Sequence, residues 1–482
     1  MIGDVEPGVS ASSPRRAGRA VWIRAAAVAI ALASAALVAI WINRVVGPVH
    51  AGNYAVAQVV FLLGAIVVTA GLTTAGSQLV ANDAEEATPT WWTVTLARVV
   101  IALGVVGVAQ AGRLALPIEP ELDGFLAIVI VTLFVVPFRS EWLLVARGAT
   151  EAAALARVVA FGSQAVLAVI LIRSVEDVPR LPFVIAGSAL AAAATSVLLS
   201  RRIVLAVRRE LMTRRRLEAL VRDARHYFVA DLSIYVYTSS DRLFLYALAS
   251  PLVVGLYDAA YKLIQPFYSI SAAVGDAMYL RLAVAHRKGP LAPEFRRYVD
   301  LMCIGTIPLG FFLALHAPWA IGIAYGTDYA AAAPYLAVLG FVITFGYMSG
   351  VTVLPFAAWN RPSDYSRAIL IGNATNVILN LVLIPPMSGM GAAVATVAAK
   401  IAVTVSGLRS FYRLVRYPLI DDFVVYSALS IVAFGVSWAM LALGTPPLAS
   451  VIGFAMTYAL AVALVRWRIG WRISDRLRGA AR

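Results

Sequence analysis

Fourteen apolar runs of about 20 residues, separated by polar or Gly/Pro breaks, dominate this 482-residue sequence. A helix needs about 20 apolar residues to cross ~30 Å of hydrocarbon, so each run is read as a membrane span. Their approximate limits are 22–43, 54–80, 91–112, 125–146, 153–172, 182–200, 226–249, 254–280, 299–324, 334–358, 366–385, 391–412, 423–443 and 448–466. With 61% hydrophobic and 14% charged residues, the chain lies outside the composition of soluble domains, whose charged fraction is nearer ~25%. The fold expected is therefore an all-α integral membrane protein. In lipid, helices satisfy every backbone polar group within the segment itself.

Arginine tests the count, because positive residues stay on the cytoplasmic side. Alternate segments carry the charge: the N-terminal tail, Arg147, the run 201–225, the stretch 281–297, Arg361, the stretch 409–416 and the C-terminal tail. The opposite loops hold only Arg44, Arg113, Arg173 and Arg180. Both termini are expected to be cytoplasmic. The formal net charge of +14 then reflects membrane orientation and calls for no nucleic-acid partner. The opening residues MIGDVEPGVSASSPRRAGRA read as a polar cytoplasmic tail, since the apolar run after them is too long for a cleaved leader. The lone Cys303 leaves no thiolate metal site or disulfide within one chain, and neither a cofactor nor a catalytic residue is expected.

Two stretches share their punctuation. VVGPVHAGNYAVAQ at 45–58 and ASPLVVGLYDAAYK at 249–262 place Pro48, Gly52, Tyr54 and Ala57 against Pro251, Gly255, Tyr257 and Ala260. The offset is 203 in every pair (251 − 48, 255 − 52, 257 − 54, 260 − 57). Arg157 to Gly162 resembles Arg367 to Gly372 at an offset of 210. The chain reads as two six-span repeats of the same orientation, related by an axis along the membrane normal, with spans 13 and 14 added. The expected domains are a tail 1–20, an N-terminal lobe 21–200, a basic linker 201–225, a C-terminal lobe 226–412 and the extra pair with its tail 413–482. The shared Pro/Gly/Tyr element is expected to be an extracytoplasmic hairpin turn between the first and second spans of each repeat.

Polar residues recur on helix faces within the spans. Asp258, Lys262, Gln265, Ser269 and Asp276 follow steps of 4, 3, 4 and 7. Asp231, Tyr235, Thr238 and Arg242 form a second stripe, and Asn373, Asn376 and Asn380 a third. A charge at mid-bilayer costs at least about 2.5–3.5 kcal/mol, which directs such stripes toward a bundle interior or a hydrated cavity. Arg98, Arg139 with Glu141, Arg157 with Gln164, and Lys400 add further intramembrane charges. Each has a structural alternative. Asp258 and Lys262 at i and i+4 can neutralise each other, Arg242 can snorkel, and the asparagines can be interhelical glue. The linker 201–225 is expected to lie on the anionic inner leaflet, with Val204, Val207, Leu211, Leu217 and Leu220 among its arginines. Pro137, Pro266, Pro308 and Pro355 are candidate kinks.

TSSDRLFLYALASPLVVGLYDAAYKLIQP (238–266) resembles the Asp-Arg, Gly-x-Tyr-x-x-Ala-Tyr-Arg/Lys pattern of the polysaccharide-transport branch of the multidrug/oligosaccharidyl-lipid/polysaccharide exporter superfamily. NVILNLVLIPPMSGMGAAVATVAAK (376–400) is similar to its Asn-x-x-x-Asn-x-x-Leu-Ile-Pro and Gly-x-Gly-Ala-Ala-x-Ala-Thr segment, and RVVGPVHAGNYAVA to its first-repeat turn. With the span count, the resemblance covers about 20–412. It implies a MATE-like, V-shaped pair of six-helix lobes in the bacterial cytoplasmic membrane. It also implies a flippase moving a polyprenyl-pyrophosphate-linked oligosaccharide from the inner to the outer leaflet for surface polysaccharide assembly. Membrane lipids and the polymerase or glycosyltransferases of the same pathway would be its partners.

By that resemblance Lys262 and Arg242 match cationic positions that meet pyrophosphate. Burial cost adds Arg98, Arg139 and Arg157, and the polar stripes add Gln265, Asn376 and Asn380 for sugar hydroxyls. Asp231, Asp258 and Asp276 are the candidates for coupling to protons or Na⁺. The competing reading within the superfamily is a drug/cation antiporter, which would favour an acidic, aromatic cavity over a cationic one. A glycosyltransferase or ligase would need a larger extracytoplasmic loop, and an ATPase would need a Gly-x-x-x-x-Gly-Lys-Ser/Thr loop that the sequence lacks.

Overall fold

The computed structural model describes residues 14–204, 214–267, 293–359, 361–414 and 419–479. Among these there is no strand. Fourteen α-helices follow in order: α1 (Pro14–Thr69), α2 (Leu72–Asn82), α3 (Ala87–Ala115), α4 (Pro120–Thr132), α5 (Glu141–Ala146), α6 (Thr150–Leu171), α7 (Leu181–Val204), α8 (Arg214–Leu248), α9 (251–267), α10 (Pro293–Tyr325), α11 (Ala333–Ala358), α12 (Pro362–Leu414), α13 (Leu419–Ala442) and α14 (Pro447–Gly479). Each expected span is mainly helical where it is described, with breaks at Ala70–Gly71 in 54–80 and at Arg139–Ser140 in 125–146. Ten of the helical segments are long and apolar enough to cross a membrane, so the protein is a multi-pass membrane protein. Ser34–Thr69 is interrupted at Gly47 and Pro362–Leu414 at Ser388, each of which has non-helical backbone angles, and Pro120–Ala146 is broken at Arg139 and Ser140.

The chain forms two compact units. One comprises Met1–Trp41 and Ala57–Leu232, the other Ile42–Val56 and Ser233–Arg482. In the first unit α6 packs on α7, α4 on α7, and α2 between α3 and α5. One core cluster joins Leu72, Ala75 and Val94 to Leu220 and Ala224 at the start of α8. Arg216 adds an ion pair to Glu86 at 2.8 Å, and Tyr227 donates to Gln78 Oε1 at 2.8 Å. The described end of the expected inner-leaflet linker thus buries one face against protein. Residues 205–213, its central part, lie outside the described residues, as do 1–13 of the expected tail.

In the second unit α10, α11 and α12 pack side by side, and α13 and α14 pack on α10. Apolar contact is made by Ala433, Phe454 and Tyr458 with Ile304, Phe311 and Phe312 around them. Polar ties accompany it: Arg466 to Asp300 at 2.9 Å, Tyr458 Oη to the Ile304 carbonyl at 3.1 Å, and His316 with Ser437 at 3.0 Å. His316 is accounted for by this buried contact. It sits far along α10 from Asp300, so the extra helix pair is fixed at two levels.

The Pro/Gly/Tyr elements differ from the hairpin turns expected. In the first copy the chain turns at Gly47 alone (φ 78°, ψ 170°), a conformation costly for any residue with a Cβ, and Pro48 already begins the second helix. In the second copy the turn is Ala249–Ser250, and Pro251 begins α9. Gly52 and Gly255 lie inside helix and serve a different purpose. A Cβ on Gly52 would collide with the Pro251 carbonyl, and one on Gly255 with the Pro48 carbonyl. The two copies of the element therefore meet backbone to backbone through the same residue of each. This seats 42–56, the one piece of the N-terminal half that belongs to the second unit. Arg44 secures it further by donating to the Ala324 carbonyl at 2.7 Å and to that of Ile323, at the end of α10.

Gly255→Ala is expected to lower stability by about 1–3 kcal/mol, the range for forcing a methyl into packed structure. Gly104→Ala, where a Cβ meets open space, should stay within about 0.5 kcal/mol. Thermal or denaturant unfolding of the purified protein in detergent measures both.

Candidate functional site

α8 and α9 are joined by the Ala249–Ser250 turn, so residues equidistant from it come side by side. Two such pairs, each 16 residues apart, carry the polar chemistry of the second unit. Tyr257 Oη donates to Asp241 Oδ2 at 2.8 Å, and Arg242 Nε reaches Asp258 Oδ1 at 2.5 Å. All four side chains are buried.

Around Asp241 the neutral donors converge from α12. Asn380 Nδ2 donates to Oδ1 at 2.6 Å and Thr396 Oγ1 to Oδ2 at 2.9 Å. Asn380 also donates to Asn376 Oδ1 at 3.1 Å, and Ser240 donates to the same oxygen at 3.5 Å. Tyr257 and Thr396 are themselves 3.0 Å apart. One carboxylate thus gathers three donors, which offsets much of the cost of holding it away from water. Two amide atoms remain without a hydrogen-bond partner, Asn380 Oδ1 and Asn376 Nδ2. They are the atoms exchanged when an amide turns by 180°.

Asp258 is 3% exposed and holds two cations at once. Lys262 Nζ lies 2.6 Å from its second oxygen, one helical turn along α9. Arg242 also donates to the Thr238 carbonyl at 3.3 Å, and its guanidinium stands 4.7 Å over the Tyr261 ring. The triad carries one net positive charge. Lys262, with 17% of its side chain exposed, is the least buried member.

The repeat makes this arrangement one-sided. Subtracting 203 from 241, 242, 258 and 262 gives Val38, Ala39, Ala55 and Val59. The backbone element is shared by the two repeats; the charges belong to the second alone.

The remaining candidates scatter. Asp231 at the start of the α8 stripe and Gln265 on α9 are exposed, so neither joins the buried cluster. Ser269 and Asp276 lie outside the described residues. Lys400 does not scatter: it follows Thr396 by one turn of α12, close enough to Asp241 for the two charges to interact. In the first unit Arg157 is exposed on α6. Span 4 breaks there: α4 gives way to a 3-10 segment, Leu133–Phe138, that contains Pro137, and α5 resumes after Arg139 and Ser140. Arg139 Nε and Nη2 both reach Glu141 Oε1 at 3.1 Å, in a pair whose side chains are 42% and 24% exposed. Arg98 on α3 is 1% exposed and donates to the Arg139 carbonyl at 3.3 Å and to the Val136 carbonyl.

Asp241, Tyr257 and Thr396 were not among the residues selected from sequence. Each had a signal: Asp241 adjoins Arg242, Tyr257 stands in the repeated element, and Thr396 follows the asparagine stripe in the quoted 376–400 segment. Among the described residues no group of three or more His, Cys, Asp or Glu could hold a metal ion. The Asp241 carboxylate is bonded by neutral donors, with the Lys400 ammonium near enough to interact with its charge.

A family model described as "Polysaccharide biosynthesis protein" matches residues 20–279. No curated protein sequence matches the chain. Among solved structures, the lipid II flippase MurJ in an inward closed conformation has a TM-score of 0.75 at 14% identity, covering 94% of this chain and 99% of that one. An inward-facing multidrug resistance MATE family transporter of the MOP superfamily gives 0.63 at 14% identity, covering 82% and 98%. A MOP superfamily transporter from Pyrococcus furiosus, described by a reverse polarity of its binding pocket that suggests a different function, gives 0.55 at 15% identity, covering 82% and 96%. At these identities the likeness establishes the fold that these transporters have in common.

Asp258→Asn is expected to destabilise the protein by about 3–5 kcal/mol, because it strands buried Arg242. Lys262→Ala leaves the Arg242–Asp258 pair intact and should cost about 1 kcal/mol or less. Unfolding in detergent separates the two.

Proposed function

The chain belongs to the polysaccharide biosynthesis protein family, and from that membership we propose that it flips a polyprenyl-pyrophosphate-linked oligosaccharide from the inner to the outer leaflet of the bacterial cytoplasmic membrane. Surface polysaccharide assembly would consume the product. The observation that carries this reading is the net-positive triad of Arg242, Asp258 and Lys262, held among apolar spans where an uncompensated charge is costly. A site for cationic drugs would be centred on negative charge; this one offers an ammonium to a pyrophosphate. Both termini are cytoplasmic in this reading, and the two six-span repeats, 21–200 and 226–412, are the halves that alternate.

The energy source is a monovalent cation taken up at Asp241. Turning the Asn380 amide replaces its donor by Oδ1, so that carboxylate, amide, hydroxyl and phenol oxygens would all be available to the ion. Without the ion, the same amide turned the other way satisfies the carboxylate. Asn380 thus has two settings, which supports coupling through Asp241 in preference to exposed Asp231. Tyr257 and Asp258 are neighbours on α9, so occupancy at Asp241 bears directly on the helix that carries Lys262.

Deletion of the gene should make lipid-linked oligosaccharide accumulate on the cytoplasmic leaflet, as read by leaflet-selective probing of extracted glycolipids. Wild type should relieve the accumulation, while Lys262→Ala and Asp241→Asn should each leave at least about 90% of it, a tenfold loss equivalent to ~1.4 kcal/mol. Normal leaflet distribution together with raised sensitivity to cationic dyes would sink the reading in favour of drug export.

A further inference from the structure

Arg98 is a buried cation that the proposed mechanism does not use. Its side chain is 1% exposed, so it cannot meet a substrate, and no carboxylate bonds to it among the described residues. What it does contact is the break in span 4. Nη1 donates to the Arg139 carbonyl and Nη2 to the Val136 carbonyl, while Nε has no partner. The Val136 carbonyl also receives the Arg139 N–H at 3.2 Å. One guanidinium therefore spans both ends of the turn that closes the 3-10 segment, where backbone carbonyls concentrate negative partial charge.

Other groups fix the next residue. The Ser140 N–H donates to Ser196 Oγ at 3.0 Å, and Ser140 Oγ receives Trp91 Nε1 at 2.8 Å. Three side chains, two from α3 and one from α7, thus hold two consecutive residues of a broken span. Irregular backbone at membrane depth persists where protein buries it or where it serves a site, and broken helices in transporters are places where substrates bind. The accessible charge at this break is Arg139, whose side chain is 42% exposed. Its fork is met by one oxygen of a partly buried partner, Glu141, an interaction that a phosphate oxygen can replace.

We propose that Arg98 is a positioning residue that clamps the break in span 4 so that Arg139 is presented as a contact for the pyrophosphate of the substrate. Arg139 touches the anion and Arg98 acts through it. The break lies seven residues before Arg147, near the cytoplasmic end of span 4 in the orientation proposed above, at the depth where an inner-leaflet pyrophosphate would enter. This inference rests on the flippase reading.

The test uses the full chain purified in detergent, with inorganic pyrophosphate as the probe and sulfate as the control anion. Pyrophosphate should raise the unfolding temperature of the wild type with a half-saturation at least about tenfold below that of sulfate. Arg139→Ala should abolish the difference. Arg98→Lys keeps the charge but cannot bridge two carbonyls, so it should weaken the pyrophosphate response about tenfold. Combining it with Arg139→Ala should add nothing further. An Arg98→Lys protein that unfolds earlier yet keeps the wild-type pyrophosphate response would show a purely structural role and overturn the proposal.

If Arg98→Lys fails to accumulate, Arg139→Lys decides, because it leaves the clamp untouched. It should lose most of the preference over sulfate with its fork gone; an unchanged preference would overturn the proposal. A wild type indifferent to pyrophosphate would also overturn it. In that last case the flippase reading survives if gene deletion still strands glycolipid on the cytoplasmic leaflet, and falls only if it does not.

Discussion

A charge inside a membrane span must bring its own solvent, and the second unit is organised around that requirement. Asp241 is surrounded by three donors and Asp258 by two cations, each drawn from a different turn of α8, α9 or α12. These bonds fix how the three helices are seated, because a slip of one residue in any of them would leave a carboxylate or guanidinium unpaired at a cost of several kcal/mol. Packing of Leu, Val and Ala alone has no such discrimination, since lipid tails are as apolar as the helices they touch. The polar cluster thus specifies the arrangement and forms the candidate site at once.

The asymmetry between the repeats follows from the same economy. The Pro/Gly/Tyr element occurs twice and does the same backbone work twice, whereas Val38, Ala39, Ala55 and Val59 stand where the second repeat has Asp241, Arg242, Asp258 and Lys262. Duplicating the charges would double the burial cost. The first unit instead concentrates its polar investment at the broken span 4, through Arg98, Ser140 and Arg139.

The helical fold was largely legible because apolar length is a property of whole segments, and small errors at boundaries average out. The site was legible in part. Spacing put Asp258 and Lys262 together because i and i+4 is a local relation, and the Asp-Arg and asparagine motifs flagged Arg242, Asn376 and Asn380. Asp241 escaped because its partners come from 16, 139 and 155 residues away, distances over which periodicity carries no information. Helical stripes also overstated cohesion: Asp231 and Asp258 were both placed on polar faces, yet one is exposed and the other buried. The repeated element was read as a hairpin turn whose glycine permits tight packing, with no indication of what it packs against. The glycine's role in close backbone contact emerges only when the two copies are seen to touch each other.

That contact sets an order of events during synthesis. Residue 52 leaves the ribosome 203 residues before residue 255, an interval of roughly 10–40 s at ~5–20 residues per second. For that time the middle of α1 has been made but its partner backbone does not exist. The N-terminal helices can gather around Leu72, Val94 and Trp91, yet the segment 42–56 must wait, threaded through lipid or held by the insertion machinery. The last piece of the first half to find its place is thus among the earliest to be translated.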